Sequence, residues 1–290
     1  MRPVPTAVLA ILSIAAAAAA PEPIAVIPFK REGNLMIVQT RINDSAPLPF
    51  ILDSGASHSV LTPKLAEALR LKLTPDKPTT GTGKGEVPVL RSDPVKMQLA
   101  GLGLEIPAPW IIDLSKVPIP QETAGLIGAE LFKRFVVRMD QAARTISVFE
   151  PETYRPDGTV PSVPLLVEGD KLFLEATLAL GEGKAVTRKL RIDSGSEGSV
   201  NDEIVRESSE RQRSTLGGGL GENFEGYSGV LGSVKIGPFE FKEVWATGAP
   251  HPTIGMELLR RFVVTFDAPH GRLYLEPTNE LNDRVPPPGG

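Results

Sequence analysis

One short pattern occurs twice in this 290-residue chain, about 140 residues apart. The first copy is Phe50-Ile51-Leu52-Asp53-Ser54-Gly55-Ala56-Ser57, and the second is Leu190-Arg191-Ile192-Asp193-Ser194-Gly195-Ser196-Glu197. Each sets an aspartate, a hydroxyl residue and a glycine directly after a strand-like run. A second block follows each turn: Gly125-Leu126-Ile127-Gly128-Ala129-Glu130-Leu131-Phe132-Lys133-Arg134-Phe135-Val136-Val137 in the first half, and Pro252-Thr253-Ile254-Gly255-Met256-Glu257-Leu258-Leu259-Arg260-Arg261-Phe262-Val263-Val264 in the second. A third echo precedes each turn, Ile27-Pro28-Phe29 with Glu32-Gly33 and Val163-Pro164-Leu165 with Glu168-Gly169. Three elements in the same order, twice, indicate an internal duplication with units over residues 24–150 and 160–277. A duplicated chain of this length is expected to form two similar lobes. If the two turns face each other, two carboxyls meet, and such a pair holds one proton between its members.

The remaining composition narrows the field. Glycine and proline are plentiful, at 28 each, which suits a turn-rich β protein. The formal net charge is −4, and the basic run over residues 206–213 is interleaved with Glu207 and Glu210, so it reads as a solvated face and no nucleic-acid partner is implied. Cysteine is absent, which excludes disulfides, a thiol nucleophile and cysteine-ligated zinc. Arg2 followed by the uncharged apolar stretch 8–20, rich in small residues, reads as a signal peptide over residues 1–20; the protein is expected to be exported, to the periplasm or beyond. Residues 278–290, ending in prolines and glycines, read as a flexible tail.

Short apolar runs bounded by Gly, Pro and Asp give strands at 35–42 and 48–52, and again at 172–180 and 188–192. Residues 63–73 are amphipathic with a helical period, with Thr62 placed to cap and Pro63 suited to the first helical position. Short helices are expected at 129–135 and 256–262, followed by hairpins at 136–149 and 263–275 whose turns carry Asp140 and Asp267. The class is mainly β with a few short helices.

These residues resemble the pepsin/retropepsin clan of aspartic proteases, and the first unit is most similar to bacterial retropepsin-type domains, here in tandem. The resemblance covers nearly all of residues 24–277. It implies a bilobal acid-protease-like fold of two β-barrel lobes related by a pseudo-twofold axis. It implies that Asp53 and Asp193 are the catalytic pair of an aspartic-type endopeptidase that needs no cofactor and no metal. Ser54 and Ser194 would stand where threonine is more usual and bond across to the opposite turn. Gly55 and Gly195 would let the backbone pass beneath the carboxylates, and Ile127-Gly128 and Ile254-Gly255 would brace the loops from behind. The partner would be a peptide or protein substrate, handled by a monomer acting as a pseudo-dimer; a homodimer that pairs lobes between chains is the alternative, as is a peptide-binding protein that has lost catalysis. Ser196, where the first turn has Ala56, would donate to Asp193 and make it the ionised member.

The substrate cover is expected in the glycine-rich hairpins Thr79-Thr80-Gly81-Thr82-Gly83-Lys84-Gly85-Glu86 and Leu216-Gly217-Gly218-Gly219-Leu220-Gly221, whose flexible tips would open to admit a peptide. With no tyrosine in the first, two flaps are favoured over one. Neither completes a phosphate-binding pattern. His58, His251 and His270 are scattered and suggest neither a metal site nor a Ser/His/Asp triad. Trp110 and Trp245 read as packing residues.

Overall fold

The computed structural model describes residues 21–181 and 183–287. The expected signal peptide lies outside the described residues, as do the last three positions of the expected tail. The chain is mainly β, in two sheets, with short helices at Pro63–Ala68, Ala129–Arg134, Glu203–Glu207 and Met256–Leu259. Strand burial alternates as the pleat requires, for example in Val95–Leu99 and Lys171–Ala179.

Both halves use their first strand in the same way. Residues Ala25 to Pro28 pair with the strand Thr145–Phe149, and Phe29 to Glu32 then pair with Leu35–Ile42. In the second half the strand Ser162–Pro164 pairs with Arg272–Pro277, and Leu166–Glu168 then pairs with Lys171–Ala179. Each switch of partner falls just after a proline, Pro28 or Pro164, which has no N–H to extend a ladder. The hairpins that follow the two short helices meet edge to edge, with Val137 opposite Phe266, Arg138 opposite Thr265 and Met139 opposite Val264. Aligned by the repeat, Arg138 and Thr265 are equivalent positions, and the flanking pairs exchange roles. That is the register of a self-complementary contact, so the pseudo-twofold axis passes through this pair. One sheet thus runs from the second lobe into the first, and the halves share its centre. Phe132 packs edge-on to Phe266 there, with ring centroids 5.0 Å apart.

Two expectations need correction. The helix read over 63–73 ends at Ala68: Thr62 Oγ1 accepts from Leu65 N at 3.4 Å, but Arg70 turns to a φ of 52°, and Leu73 enters a strand paired with Leu90–Ser92. The apolar period spans too few turns to outweigh that pairing. The tail also departs from expectation. Residues 278–285 lie against the second lobe, where Arg261, fully buried, takes acceptors from them. Its guanidinium donates to the Glu257 carboxylate at 3.0 Å, to the carbonyl of Glu280 at 3.0 Å and to that of Asp283, while Val285 is buried beside it. Arg261→Ala strips these acceptors of their donor, and is expected to lower unfolding free energy by about 3 kcal/mol in urea titration.

Candidate active site

The site begins where two strands lie parallel. Gly125–Ile127 runs beside Leu48–Leu52, and Thr253–Ile254 runs beside the end of Ala185–Ile192. The chain then leaves each central strand in a tight turn whose first amide is tied to its neighbour: Asp53 N donates to Ile127 O at 2.9 Å, and Asp193 N to Ile254 O at 3.0 Å. The next residue behind must be glycine. A Cβ on Gly128 would lie 2.6 Å from the His58 carbonyl, and one on Gly255 would lie 2.4 Å from the Gly198 carbonyl. On the first-lobe side Glu130 completes the brace, accepting from Ser59 N at 2.9 Å and Ser59 Oγ at 2.8 Å, while Ser59 Oγ accepts from Gly128 N at 3.1 Å.

The two turns lock through their serines. Ser54 Oγ donates to Ile192 O at 3.0 Å and accepts from Ser194 N at 3.0 Å; Ser194 Oγ donates to Leu52 O at 2.9 Å and accepts from Ser54 N at 2.9 Å. Both side chains are wholly buried. Loss of one hydroxyl leaves a buried N–H and a buried C=O unpaired. Ser54→Ala and Ser194→Ala are each expected to cost about 2 kcal/mol in chemical denaturation, and the double variant to cost less than the sum because the bonds form one network.

Above this lock the carboxyls face each other. A Cβ on Gly55 would lie 2.4 Å from the Asp193 carboxyl carbon, and a Cβ on Gly195 would lie 2.5 Å from that of Asp53. Each carboxyl therefore rests on the bare backbone of the opposite turn. Asp53 Oδ1 accepts from Gly55 N at 2.9 Å and Ala56 N at 3.1 Å, and Asp193 Oδ1 accepts from Gly195 N at 3.0 Å. Burial in the cleft, reinforced by the negative charge of Asp193, pushes the Asp53 carboxyl up to about 7, against the opposing pull of Arg191 and the Gly55 amide. The two carboxyls titrate as a unit, with the shared proton favoured on Asp53. The second oxygen of Asp193 is bonded by Arg191 Nη2 at 3.2 Å. Among the described residues it is this guanidinium, not the expected Ser196 hydroxyl, that holds the Asp193 side chain; Ser196 contributes its backbone N–H to the Asp193 carbonyl at 3.3 Å.

The pair opens onto a cleft of about 750 Å³ between the lobes. Its first-lobe wall is apolar, with Leu35, Ile51 and Leu126, and includes Trp110, read above as a packing residue. Trp110 lies against His58 at 4.4 Å between ring centroids, and its indole N–H is buried without a partner. Trp245 is packed against the core of the second lobe. Both glycine-rich segments cross the cleft and join tip to tip. Gly83 N donates to Leu220 O at 2.9 Å, Lys84 N to Glu222 O at 2.8 Å, and Glu222 N to Lys84 O at 2.9 Å. Gly81, Gly218 and Gly219 line the cleft, and a Cβ on Gly81 would lie 2.5 Å from the Leu220 carbonyl. Gly83 belongs to the tip contact. Gly85 stands clear of neighbours with a φ of +88°, turning the hairpin back rather than covering the cleft. The His251 and His270 side chains lie outside the carboxyl pair; His270 Nδ1 bonds the turn residue Asp267 at 2.7 Å.

Arg191 and Lys171, absent from the residues expected at the site, both line the cleft. The signal was present: Arg191 interrupts the apolar run before the second aspartate, at the position Ile51 occupies before the first.

Residues 38–131 match a family model described as aspartyl protease. No curated protein matches the chain by sequence. Among solved structures, the chain is similar in shape to basic 7S globulin from soybean, at a TM-score of 0.47 and 10% identity, over 88% of this chain and 95% of that one.

Proposed function

We propose that this chain, which carries an aspartyl protease domain over residues 38–131, is an exported aspartic endopeptidase that hydrolyses peptide bonds in extended substrates. The observation that carries the reading is the reciprocal seat of Asp53 and Asp193, each carboxyl against the other turn's glycine. Asp193, ionised, takes a proton from a water held between the carboxyls as its oxygen attacks the scissile carbonyl carbon. Asp53 gives its proton to the carbonyl oxygen as charge develops there. Collapse of the tetrahedral intermediate breaks the C–N bond, with the proton on Asp193 passing to the leaving nitrogen and a hydroxyl proton returning to Asp53. The substrate lies extended beneath the joined hairpins, adding its backbone to them as a strand. One chain supplies both carboxyls, so a monomer suffices. The uncharged apolar stretch 8–20 behind Arg2, the pattern of a signal peptide, supports export.

The test is cleavage of an unfolded protein at mildly acid pH, expected to occur and to be blocked by pepstatin. Absence of cleavage from acid to neutral pH overturns the reading. A second reading has one observation in its favour: the Arg191 guanidinium on Asp193 competes with water for that carboxylate, as a peptide-binding protein without catalysis could tolerate.

A further inference from the structure

The two walls of the cleft are built on equivalent positions with opposite chemistry. In the first lobe Ile51 lies between Ile37 on one neighbouring strand and Leu126 on the other. In the second lobe Arg191 lies in the same way between Phe173 and Thr253. Two residues before Ile37 is Leu35, and two before Phe173 is Lys171, each on the same sheet face as its partner. Leu35, Ile37 and Ile51 pack as an apolar cluster joined by Ile119 and Leu126. Their counterparts bring two cations, Lys171 and Arg191, to the cleft.

The second-lobe cations are under-paired. Arg191 has a side-chain exposure of 17% and makes one ion pair, to Asp193, while its Nε is buried without an acceptor. A guanidinium placed only to hold Asp193 would not leave a buried donor open. Lys171 has no carboxylate partner among the described residues. Burial, then the charges of Arg191 and Lys171, push the His251 imidazole down, which disfavours a third positive charge beside them. Glu197, also on this wall, is turned to the first lobe, where its Oε1 accepts from Asn34 N at 3.0 Å. With one proton shared between the two aspartates, the group of Arg191, Lys171 and the pair carries one uncompensated positive charge.

We propose that this wall is an acidic-residue subsite: Arg191 and Lys171 receive a glutamate or aspartate side chain of the peptide, while the Leu35–Ile51 wall receives an apolar one. Because the pseudo-twofold axis passes between the carboxyls, the walls lie on opposite sides of the scissile bond. The favoured substrate pairs an apolar residue on one side with an acidic residue on the other. Arg191 thereby has two roles, positioning Asp193 and recognising substrate; Lys171 has the second only. The inference rests on the endopeptidase reading for its scissile bond but not for its binding preference.

The experiment uses the full chain and short unstructured peptides that differ only in carrying Glu, Gln or Leu at each position in turn. Binding is measured by fluorescence anisotropy with the Asp53→Asn protein, and cleavage is measured by mass spectrometry with the unmodified one. Glu is expected to bind at least about tenfold tighter than Gln at one position. That preference should shrink in Lys171→Leu, and vanish or turn towards Leu in Arg191→Leu. Equal binding of Glu and Gln at every position overturns the subsite. No cleavage together with an intact Glu preference overturns the endopeptidase reading and leaves the subsite standing.

Discussion

Asp53→Asn and Asp193→Asn are each expected to lower kcat for peptide cleavage by about 10³-fold or more, with peptide binding changed far less. The reason differs between the two. Asn at 53 cannot release a proton to the carbonyl oxygen, and Asn at 193 cannot take one from water. Gly55 N and Ala56 N share one oxygen of Asp53, so Asn at 53 keeps both bonds; Asn at 193 keeps the Gly195 bond but gives up the Arg191 bond on its other oxygen, and the fold should survive both changes. Steady-state kinetics with anisotropy binding on the same peptide separates the effects. Loss in one variant alone would mean that the pair does not act as a unit. Full activity in both would move the chemistry elsewhere and leave the cleft as a binding groove, the reading that Arg191 favours.

Activity should fall as pH rises through about 7, where Asp53 gives up its proton. The same group ties stability to pH. Its carboxyl holds a proton more tightly in the fold than in the unfolded chain, where it titrates near 3.8. Between those values the native state binds more protons than the unfolded state, so unfolding free energy falls as pH rises from about 4 to about 7 and levels off above. At about 1.4 kcal/mol per pH unit of displacement, this group should take about 2–4 kcal/mol from the neutral protein. Asp53→Asn removes the titration. The variant is therefore expected to be more stable than the parent at neutral pH by about 2–4 kcal/mol, and closely matched to it near pH 4. Urea unfolding at both pH values measures the difference. A parent as stable as the variant at neutral pH would mean that Asp53 ionises freely and that the pair is not compressed. A site that lowers the stability of its own fold is expected where a charge is held back for chemistry.

How much of this was readable in the residues depended on the kind of interaction. The Asp-Ser-Gly turns and the apolar-apolar-Gly strands are local patterns with one backbone solution, and repetition marked them as partners. The amphipathic period at 63–73 was legible as a helix but not its length, since the end at Ala68 was set by a strand partner, Leu90–Ser92, that local periodicity does not report. The composition of the tail reads as flexible, yet residues 278–285 are held by the carbonyl demand of a buried arginine, a need visible only once Arg261 is seen to be enclosed. The partner of Asp193 differs from the expected one for a related reason. Ser196 is adjacent along the chain, but Arg191, two residues earlier on the same strand face, reaches the carboxylate. Trp110 likewise became a cleft residue because its strand pairs with Val60–Leu61 beside the first turn.

Primary structure alone specified the duplication, the mainly β class and the two aspartate turns, because each follows from short-range spacing and backbone sterics. The asymmetry of the cleft, the contact of Arg191 with Asp193, and the joining of the two glycine hairpins across the site were settled by three-dimensional packing. Each depends on which groups from the two halves are brought together and shielded from water, and no local pattern encodes that.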